Sequence, residues 1–221
     1  MRHVLYRHRY RLMIGFPIVA LIASAIGFSQ SRDMLTFVPA ERFLEVGATT
    51  SVTVMVQSSV PINVVGGSVV MPPEIAITSF STNNSIVDLW TAEPQVGTVS
   101  QVDFSGGIIA LGGFTGTGEL FSFVIEARET GTAELLLEDP QILAHDGAGT
   151  SVFERSVPLT LVIREAGTPS PDLTNSNSVT IADLGILTTR LFTPYDTRYD
   201  LNGDGRVSTA DLLVLMRHMR Y

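Results

Sequence analysis

The stretch DLNGDGRVSTAD, residues 200–211, carries the clearest structural signal in the sequence. Its first six residues match the D-x-[DN]-x-[DN]-G pattern that opens a calcium-binding loop. Calcium takes about six to eight oxygen ligands, and such a loop supplies them from positions 1, 3, 5, 7, 9 and 12. Gly205 stands at position 6, where the chain turns sharply, and glycine adopts a positive φ without a Cβ penalty. We therefore expect a calcium site here, and we call residues 200–211 the second loop.

The residues at the ligand positions of the second loop are rich in carboxylate and amide oxygens. Position 7 contributes its backbone carbonyl, and position 9 commonly acts through a water molecule. The predicted ligands are Asp200, Asn202, Asp204, the backbone carbonyl of Arg206, Ser208 and Asp211. Val207 at position 8 is expected to anchor the loop to the core.

A weaker copy of the pattern, DLTNSNSVTIAD, occupies residues 172–183, which we call the first loop. Hydroxyl side chains replace acid or amide at positions 3 and 5, and Asn177 replaces the glycine. Asparagine tolerates left-handed geometry, so the turn is expected to survive. With two acids instead of three, calcium affinity should fall, and occupancy of this loop stays open. Its predicted ligands are Asp172, Thr174, Ser176, Ser178, Thr180 and Asp183.

Each loop runs directly into an amphipathic helix. The apolar positions are Leu184, Leu187 and Leu191 after the first loop, and Leu212, Leu215, Met216 and Met219 after the second. A full EF-hand has a helix before its loop as well, and Pro169-Ser170-Pro171 excludes one before the first loop. Two repeats of loop plus exit helix within 172–221 resemble a type I dockerin. In that family, helix-start positions 10 and 11 contact a cohesin partner. The resemblance therefore implies partner contacts at Ile181, Ala182, Thr209 and Ala210.

Residues 33–165 consist of short apolar runs broken by Gly, Pro, Asn and Ser. Apolar residues alternate with other residues in several of these runs, which is the period of a half-buried strand. Helical stretches between the runs are missing from the pattern, so parallel βαβ units are not expected. The runs predict a mainly β, antiparallel sandwich or barrel. The alternating sets are Val52, Val54 and Val56; Phe121, Phe123, Ile125 and Ala127; and Leu159, Leu161 and Ile163.

Three segments carry a second resemblance: LTFVPAERFLEVGATTSVTVMVQSS, VVGGSVVMPPEIAITSFS and GTGELFSFVIEARETGTAELLLEDPQIL. Together, over roughly residues 34–164, they resemble a bacterial cohesin domain, the protein-binding module of cellulosomes. The resemblance implies a nine-stranded jelly-roll sandwich whose partner surface is a sheet face. A related superfamily binds polysaccharide, so a carbohydrate-binding sandwich remains an alternative. No short motif identifies individual interface residues.

The N-terminal segment is basic over residues 1–11 and apolar over 12–28. This order is typical of a secretory signal, and Ala23-Ser24-Ala25 supplies a small-x-small cleavage pattern. A retained hydrophobic membrane helix is equally open, since 17 apolar residues reach the lower limit for a bilayer span. Both interpretations place the chain after Ser29 outside the cytoplasm. The expected organisation is 1–28 signal or anchor, 33–165 sandwich, 166–171 linker and 172–221 calcium-loop domain.

Composition narrows the function further. All 14 basic residues are Arg and no Cys is present, so cysteine or lysine nucleophiles and a P-loop lysine are excluded. After residue 11 the chain has 10 Arg against 22 acids, a net charge of −12, which is unsuitable for nucleic acid. His145-Asp146 has the pattern of an exposed turn, and we assign no catalytic residue.

The function predicted from these features is a non-catalytic, extracytoplasmic assembly protein. It would use calcium and dock a cohesin- or dockerin-bearing protein, with a polysaccharide-degrading or cell-surface complex as one context. The alternatives are a carbohydrate-binding module carried by a dockerin, a hydrolase or hydrolase accessory, and self-association of the two halves.

Overall fold

In a computed structural model of the protein, residues 33–95 and 101–219 are described. The expected signal or membrane helix within 1–28 lies outside these residues. Across the described ranges, neither α-helix has the length and apolar character needed to cross a membrane. The strands are β1 Met34–Pro39, β2 Phe43–Glu45, β3 Thr49–Val70, β4 Ile75–Ser81, β5 Leu89–Ala92, β6 Gln101–Gly107, β7 Phe114–Ala127, β8 Gly131–Ala144, β9 Arg155–Val157 and β10 Leu159–Arg164. The helices are α1 Ile181–Arg190, a 3-10 helix Thr197–Tyr199 and α2 Thr209–His218.

The long strand β3 connects the two halves of the sheet. Its first half pairs with β1 and β7, and its second half pairs with β6 and β8. The register shifts between Ser58 and Ile62, next to Pro61, which has no amide to donate to a neighbouring strand. Strand β8 likewise pairs with two strands, with β10 along its first part and with β3 along its second. These shared strands produce a mainly β sandwich with a single core.

The alternating pattern of the sequence correctly predicts which side chains form that core. The apolar residues at alternate positions of β3, β7 and β10 are at most 3% exposed. Four aromatic rings meet at the centre: the ring centroid of Phe121 lies 5.0 Å from that of Phe104 and 6.1 Å from that of Phe123, and its ring packs edge-on against Trp90. Trp90 is half-buried and packs against the core, so it lies at the core boundary, and Leu89 beside it is 59% exposed.

The strand pairing differs from the expectation in one respect. Two short pairs, β1 with β9 and β2 with β10, are parallel, and the remaining pairs are antiparallel. Along the chain, the sandwich begins and ends with two short strands. Residues 40–42 separate β1 from β2, and Pro158 separates β9 from β10. Proline cannot donate to a ladder, so the final strand is interrupted there. Ten strands therefore occur in the described residues, where the family resemblance implied nine.

The C-terminal repeats form a second, smaller core. Its buried members are Val179, Leu187, Tyr199, Leu201 and Leu215. Val179 and Met219 also form a parallel β-bridge, so the end of the first loop lies beside the end of α2. Burial of Leu187 and Leu215 agrees with the helical period in the sequence. Burial does not extend to Met216, which is 46% exposed, because the second core reaches only the Leu215 side of α2.

The segment expected to be a linker, residues 166–171, is held against the sandwich. The amide of Gly167 donates to the Glu45 carboxylate at 3.0 Å, and the Arg164 guanidinium donates to the Thr168 carbonyl. Phe43 of β2 packs against the second core. The sandwich and the repeats consequently belong to one compact unit.

Candidate calcium-binding loops and docking face

Two buried carboxylates organise the second loop. Asp200 is 4% exposed and accepts the amides of Asp204 and Gly205 at 3.1 and 2.8 Å. Asp211 is fully buried and accepts the amides of Asn202 and Ser208 at 3.1 and 2.7 Å. The aspartates at positions 1 and 12 thus fix the loop conformation by accepting hydrogen bonds from its backbone amides.

The remaining ligand candidates of the second loop lie in the same network. Asn202 and Asp204 contact each other, since the Asn202 side-chain amide donates to Asp204 Oδ2 at 2.9 Å. The Arg206 amide donates to Asp204 Oδ1 at 2.9 Å, which holds residue 206 at the loop. Outside the predicted set, the Tyr195 hydroxyl donates to Asp200 Oδ2 at 2.9 Å. A tyrosine five residues before a loop carries no sequence signal of that role, because the contact depends on how the preceding turn folds.

In the first loop, oxygen atoms surround the hydroxyl of Thr174. Its Oγ1 lies 3.1 Å from Asp172 Oδ1, 2.9 Å from Asp183 Oδ1 and 3.1 Å from Ser176 Oγ. Ser176 Oγ in turn lies 3.0 Å from the Ser178 carbonyl. The atoms at ligand positions 1, 3, 5, 7 and 12 are therefore connected by short oxygen–oxygen distances, and their ligation of calcium stays a prediction.

This oxygen cluster has fewer protons than its contacts require. Two of the neighbours of Thr174 Oγ1 are carboxylate oxygens of Asp172 and Asp183, which only accept, and the hydroxyl has one hydrogen to donate between them. The buried carboxylates Asp172 and Asp183 are held by neutral donors, namely backbone amides and hydroxyls. Buried negative charge is costly unless it is paired or coordinates a metal. The donor set of the first loop therefore fits a hard cation such as calcium.

Both loops follow the same backbone path with different residues. Positions 4 and 6 have positive φ in each: 55° at Asn175 and 64° at Asn177, against 72° at Gly203 and 82° at Gly205. Asparagine is one of the few residues with a side chain that adopts this region readily. The expectation that the turn survives without glycine agrees with this geometry.

The residues at position 9 cap the helices that follow the loops. Thr180 accepts the amide of Ala182, and Ser208 accepts the amide of Ala210. In each repeat the aspartate at position 12 accepts the cap residue's own amide, which completes a capping box. The hydroxyls at position 9, predicted as ligands, thus have a structural role that was not anticipated, although the S/T-x-x-D spacing was visible in the sequence.

Two of the loop carboxylates are more acidic than usual. Burial raises the pKa of Asp200, but hydrogen bonds from Tyr195, Gly205 and Asp204 outweigh it and hold the pKa below the ordinary value. Burial likewise raises the pKa of Asp183, and donors from Thr180 and Thr174 overcome it. Hydrogen bonds that favour the ionised form have this effect. Both groups are therefore charged at neutral pH, as a calcium ligand must be.

The acids alone do not make the site. In the described part of the chain, His, Cys, Asp and Glu side chains form no cluster of three or more that could hold a metal ion. An ion in either loop therefore needs the oxygens of Asn, Ser, Thr and backbone carbonyls besides the carboxylates. This requirement suits calcium, which accepts such mixed oxygen ligands.

The residues predicted to contact a partner lie on the outside of the repeats. Ile181 is 78% exposed, Ala182 and Thr209 are exposed, and Ala210 is half-buried. Phe192 at 94% and Leu213 at 60% are also exposed on this domain and were not singled out from the sequence, while Met216, predicted on the apolar face of the second helix, is 46% exposed. Leu213 and Met216 are neighbours on α2 because they are three residues apart. Helix periodicity placed Met216 on the apolar face of α2, but it does not say how far the core that covers this face extends.

Comparison with protein families agrees with the repeats. Residues 170–220 match the family model of the dockerin type I domain. Among curated proteins, the sequence has no significant match.

Solved structures resemble the sandwich. The sixth cohesin of scaffoldin B from Acetivibrio cellulolyticus, solved in complex with a dockerin, has a TM-score of 0.50 and 11% identity over 61% of this chain and 100% of that one. A non-cellulosomal cohesin from the archaeon Archaeoglobus fulgidus has a TM-score of 0.49 and 17% identity over 60% of this chain and 92% of that one. At these identities, the likeness concerns the fold. The chain is thus a cohesin-like β-sandwich followed by a type I dockerin-like domain.

Proposed function

We propose that this protein is a non-catalytic, extracytoplasmic assembly protein that docks a cohesin- or dockerin-bearing partner in a calcium-dependent manner. The family match at 170–220 and the cohesin fold of the sandwich support protein docking as the general activity. The observation that carries the proposal is the relation between the loops and the helix starts. Each oxygen-rich loop leads directly into a helix whose first residues are exposed.

Calcium would act by ordering the loops. Type I dockerins bind calcium, and here the ligands would be the oxygens at positions 1, 3, 5, 7 and 12 of each loop. The ion supplies positive charge that offsets the repulsion between converging carboxylates. Ligand binding to the folded form alone stabilises that form, so calcium should favour folding of the repeats.

The helix-start residues would form the contact surface. Ile181 and Thr209 begin α1 and α2, and each follows a cap residue fixed by a loop aspartate. A disordered loop would release the cap and with it the position of the helix start. Partner binding should therefore depend on calcium even though the contact residues do not ligate the ion.

Export is supported by the N-terminal sequence. Basic residues 1–11 followed by the apolar run 12–28 favour secretion or membrane anchoring of the rest of the chain. Fractionation of cells that produce the full chain, with N-terminal sequencing of the product, tests this point. Recovery of the uncleaved chain in the cytoplasm would contradict it.

The alternatives receive less support. In the described part of the sandwich the Phe and Trp rings are buried or half-buried, so little ring surface is available for stacking against a sugar. The hydrolase alternative concerned the pair His145 and Asp146. Asp146 accepts hydrogen bonds from Ala148 and Thr150, which is the pattern of a turn. Intermolecular self-association between sandwich and repeats remains a form of the same docking activity.

The proposal is tested by pull-down with the full chain as bait, with calcium and with a chelator. We expect cohesin-bearing partners in calcium and their loss with chelator. Circular dichroism on the same samples should show helical signal falling when calcium is removed, because α1 and α2 belong to the calcium-loop domain. A chain truncated at Gly167 is the control for partners of the sandwich alone. Unchanged capture and unchanged spectra in chelator would refute the proposal.

A further inference from the structure

The outer sides of the two loops have different surroundings. Asn177, at position 6 of the first loop, contacts the chain between β1 and β2. Its Nδ2 donates to the Ala40 carbonyl at 2.8 Å, and its Oδ1 accepts the Arg42 amide at 3.2 Å. Gly205 occupies position 6 of the second loop and has no side chain with which to make such contacts. The first loop is therefore attached to the sandwich through a residue that the second loop lacks.

A second contact lies beside these hydrogen bonds. Phe43, at the start of β2, packs against the second core, and its ring centroid lies 6.4 Å from that of His218. A cavity of about 650 Å³ remains between the sandwich and the repeats, lined by residues of both, Phe43, Asn177 and His218 among them. The junction thus combines a few specific contacts with an incompletely packed gap.

We infer that calcium binding at the first loop and attachment of that loop to the sandwich strengthen each other. Asn177 has a φ of 64°, in the left-handed region, which asparagine tolerates but which is only one of the backbone conformations open to it. Calcium would fix this conformation from inside the loop, and the contacts with Ala40 and Arg42 fix it from outside. Once calcium binding or attachment to the sandwich has ordered the loop, the second of these events costs less conformational entropy.

The coupling must act in both directions. If attachment raises calcium affinity by some factor, calcium raises the stability of attachment by the same factor. The sandwich would therefore supply part of the affinity that the hydroxyl ligands Thr174 and Ser176 do not. The second loop, with three acids and two glycines, would be independent of the sandwich. This inference rests on the calcium binding proposed above.

The substitution Asn177→Gly distinguishes a first loop that is coupled to the sandwich from one that is autonomous, because the two predict opposite changes in calcium affinity. It places the usual calcium-loop residue at position 6 but removes both side-chain hydrogen bonds to the sandwich. An autonomous first loop would bind calcium equally well or more tightly. A coupled loop would bind more weakly, by about fivefold or more, since coupling factors commonly run from about 5 to 150.

The measurement is a calcium titration of the full chain followed by NMR. The amide of Ser176 reports on the first loop, and those of Gly203 and Gly205 report on the second. Phe43→Ala is a second variant, which removes the aromatic contact without altering the loop sequence. Both variants should weaken calcium binding at the first loop and leave the second loop unchanged, which serves as the control within each sample.

Several outcomes would overturn the inference. Unchanged or tighter binding at the first loop of Asn177→Gly would do so, as would a first loop of the natural chain that ignores calcium while the second loop binds it. A chain in which neither loop binds calcium would instead defeat the proposed function. If Phe43→Ala fails to fold, the sign of the Asn177→Gly effect still decides.

Discussion

The first and second loops follow the same backbone path and keep the same residues at positions 1, 2, 8, 11 and 12, but they differ at positions 3 to 7 and at positions 9 and 10. Left-handed residues stand at the same two positions, Asn175 and Asn177 in one loop and Gly203 and Gly205 in the other. At positions 3 and 5 the first loop has the hydroxyls of Thr174 and Ser176, whereas the second loop has the amide of Asn202 and the carboxylate of Asp204. The comparison teaches that loop geometry and ligand strength are set by different residues.

The loops also differ in what supports them from outside. Asn177 joins the first loop to the sandwich, while Tyr195 joins Asp200 of the second loop to the turn before it. Each loop thus has an additional hydrogen-bonding partner, but only the first loop's partner belongs to another domain. The predictions that follow test how far this difference extends, from the largest expected effect to the smallest.

Removing the aspartate at position 1 should affect the second loop most. Asp200→Ala eliminates a charged ligand and the acceptor for two backbone amides, and hydrogen bonds to charged groups contribute roughly 1.5–3 kcal/mol each. We expect calorimetry to show loss of the tighter calcium site and circular dichroism to show reduced helix content. The matched variant Asp172→Ala should remove only a weaker site. Equal losses from the two variants would contradict the ranking of the loops.

A charged residue at the helix start should identify which repeat contacts the partner. Ala210→Arg is expected to weaken docking about tenfold or more, because a long cation would stand in the proposed contact face. Calcium affinity should hardly change, since the side chain of residue 210 is not a ligand. Ala182→Arg is the matched variant in the first repeat. Surface plasmon resonance would show equal weakening if the repeats were interchangeable, which their different residues argue against.

Adding an acid should make the first loop more like the second. Ser176→Asp places a carboxylate at position 5, as Asp204 does in the second loop, and affinity rises with ligand charge. We expect calcium binding at the first loop to tighten several-fold, to about tenfold, by titration calorimetry. Ser178→Asp adds the same charge where only the backbone carbonyl would ligate. Similar tightening in both variants would point to general electrostatics instead of coordination.

The smallest effect concerns pH at the junction. Burial lowers the pKa of His218, and the nearby charge of Arg164 lowers it further. A histidine with a depressed folded pKa is protonated more readily in the unfolded chain. Its contribution to stability is therefore present above its ordinary pKa of about 6.5 and is lost as the pH falls through the folded value.

Thermal melts in saturating calcium at pH 7.5 and pH 5.5 would measure this effect. The full chain should have a lower Tm at pH 5.5, and His218→Gln should reduce the difference. An identical pH dependence in the variant would mean that other groups are responsible.

Much of the fold was predictable because it follows local periodicity. Alternation identified the buried faces of β3, β7 and β10, and the spacing of Asp200, Gly205 and Asp211 identified the second loop. The direction of the short pairs involving β2 and β9 was not predictable. Alternation reports which face of a strand is buried but says nothing about the direction of its neighbour.

The contacts that support the loops could not be predicted from the sequence either. In the sequence, Asn177 is only a replacement for glycine at position 6. The structure shows that its side chain forms hydrogen bonds with the backbone of Ala40 and Arg42. Tyr199 fills the second core from a 3-10 helix that has no periodic signal. Calcium ligation, the partner contacts and the N-terminal segment stay predictions.

The bridge between Val179 and Met219 bears on how the two calcium sites are lost. It joins position 8 of the first loop to the residue that follows α2, and Leu187 and Leu215 from the stretch between them pack in the second core. Closing a stretch of this length restricts the chain, and opening it at either end frees the whole of it. Local unfolding proceeds in contiguous cooperative units. The two sites, though unequal in affinity, would therefore belong to one such unit and disappear together when the domain opens.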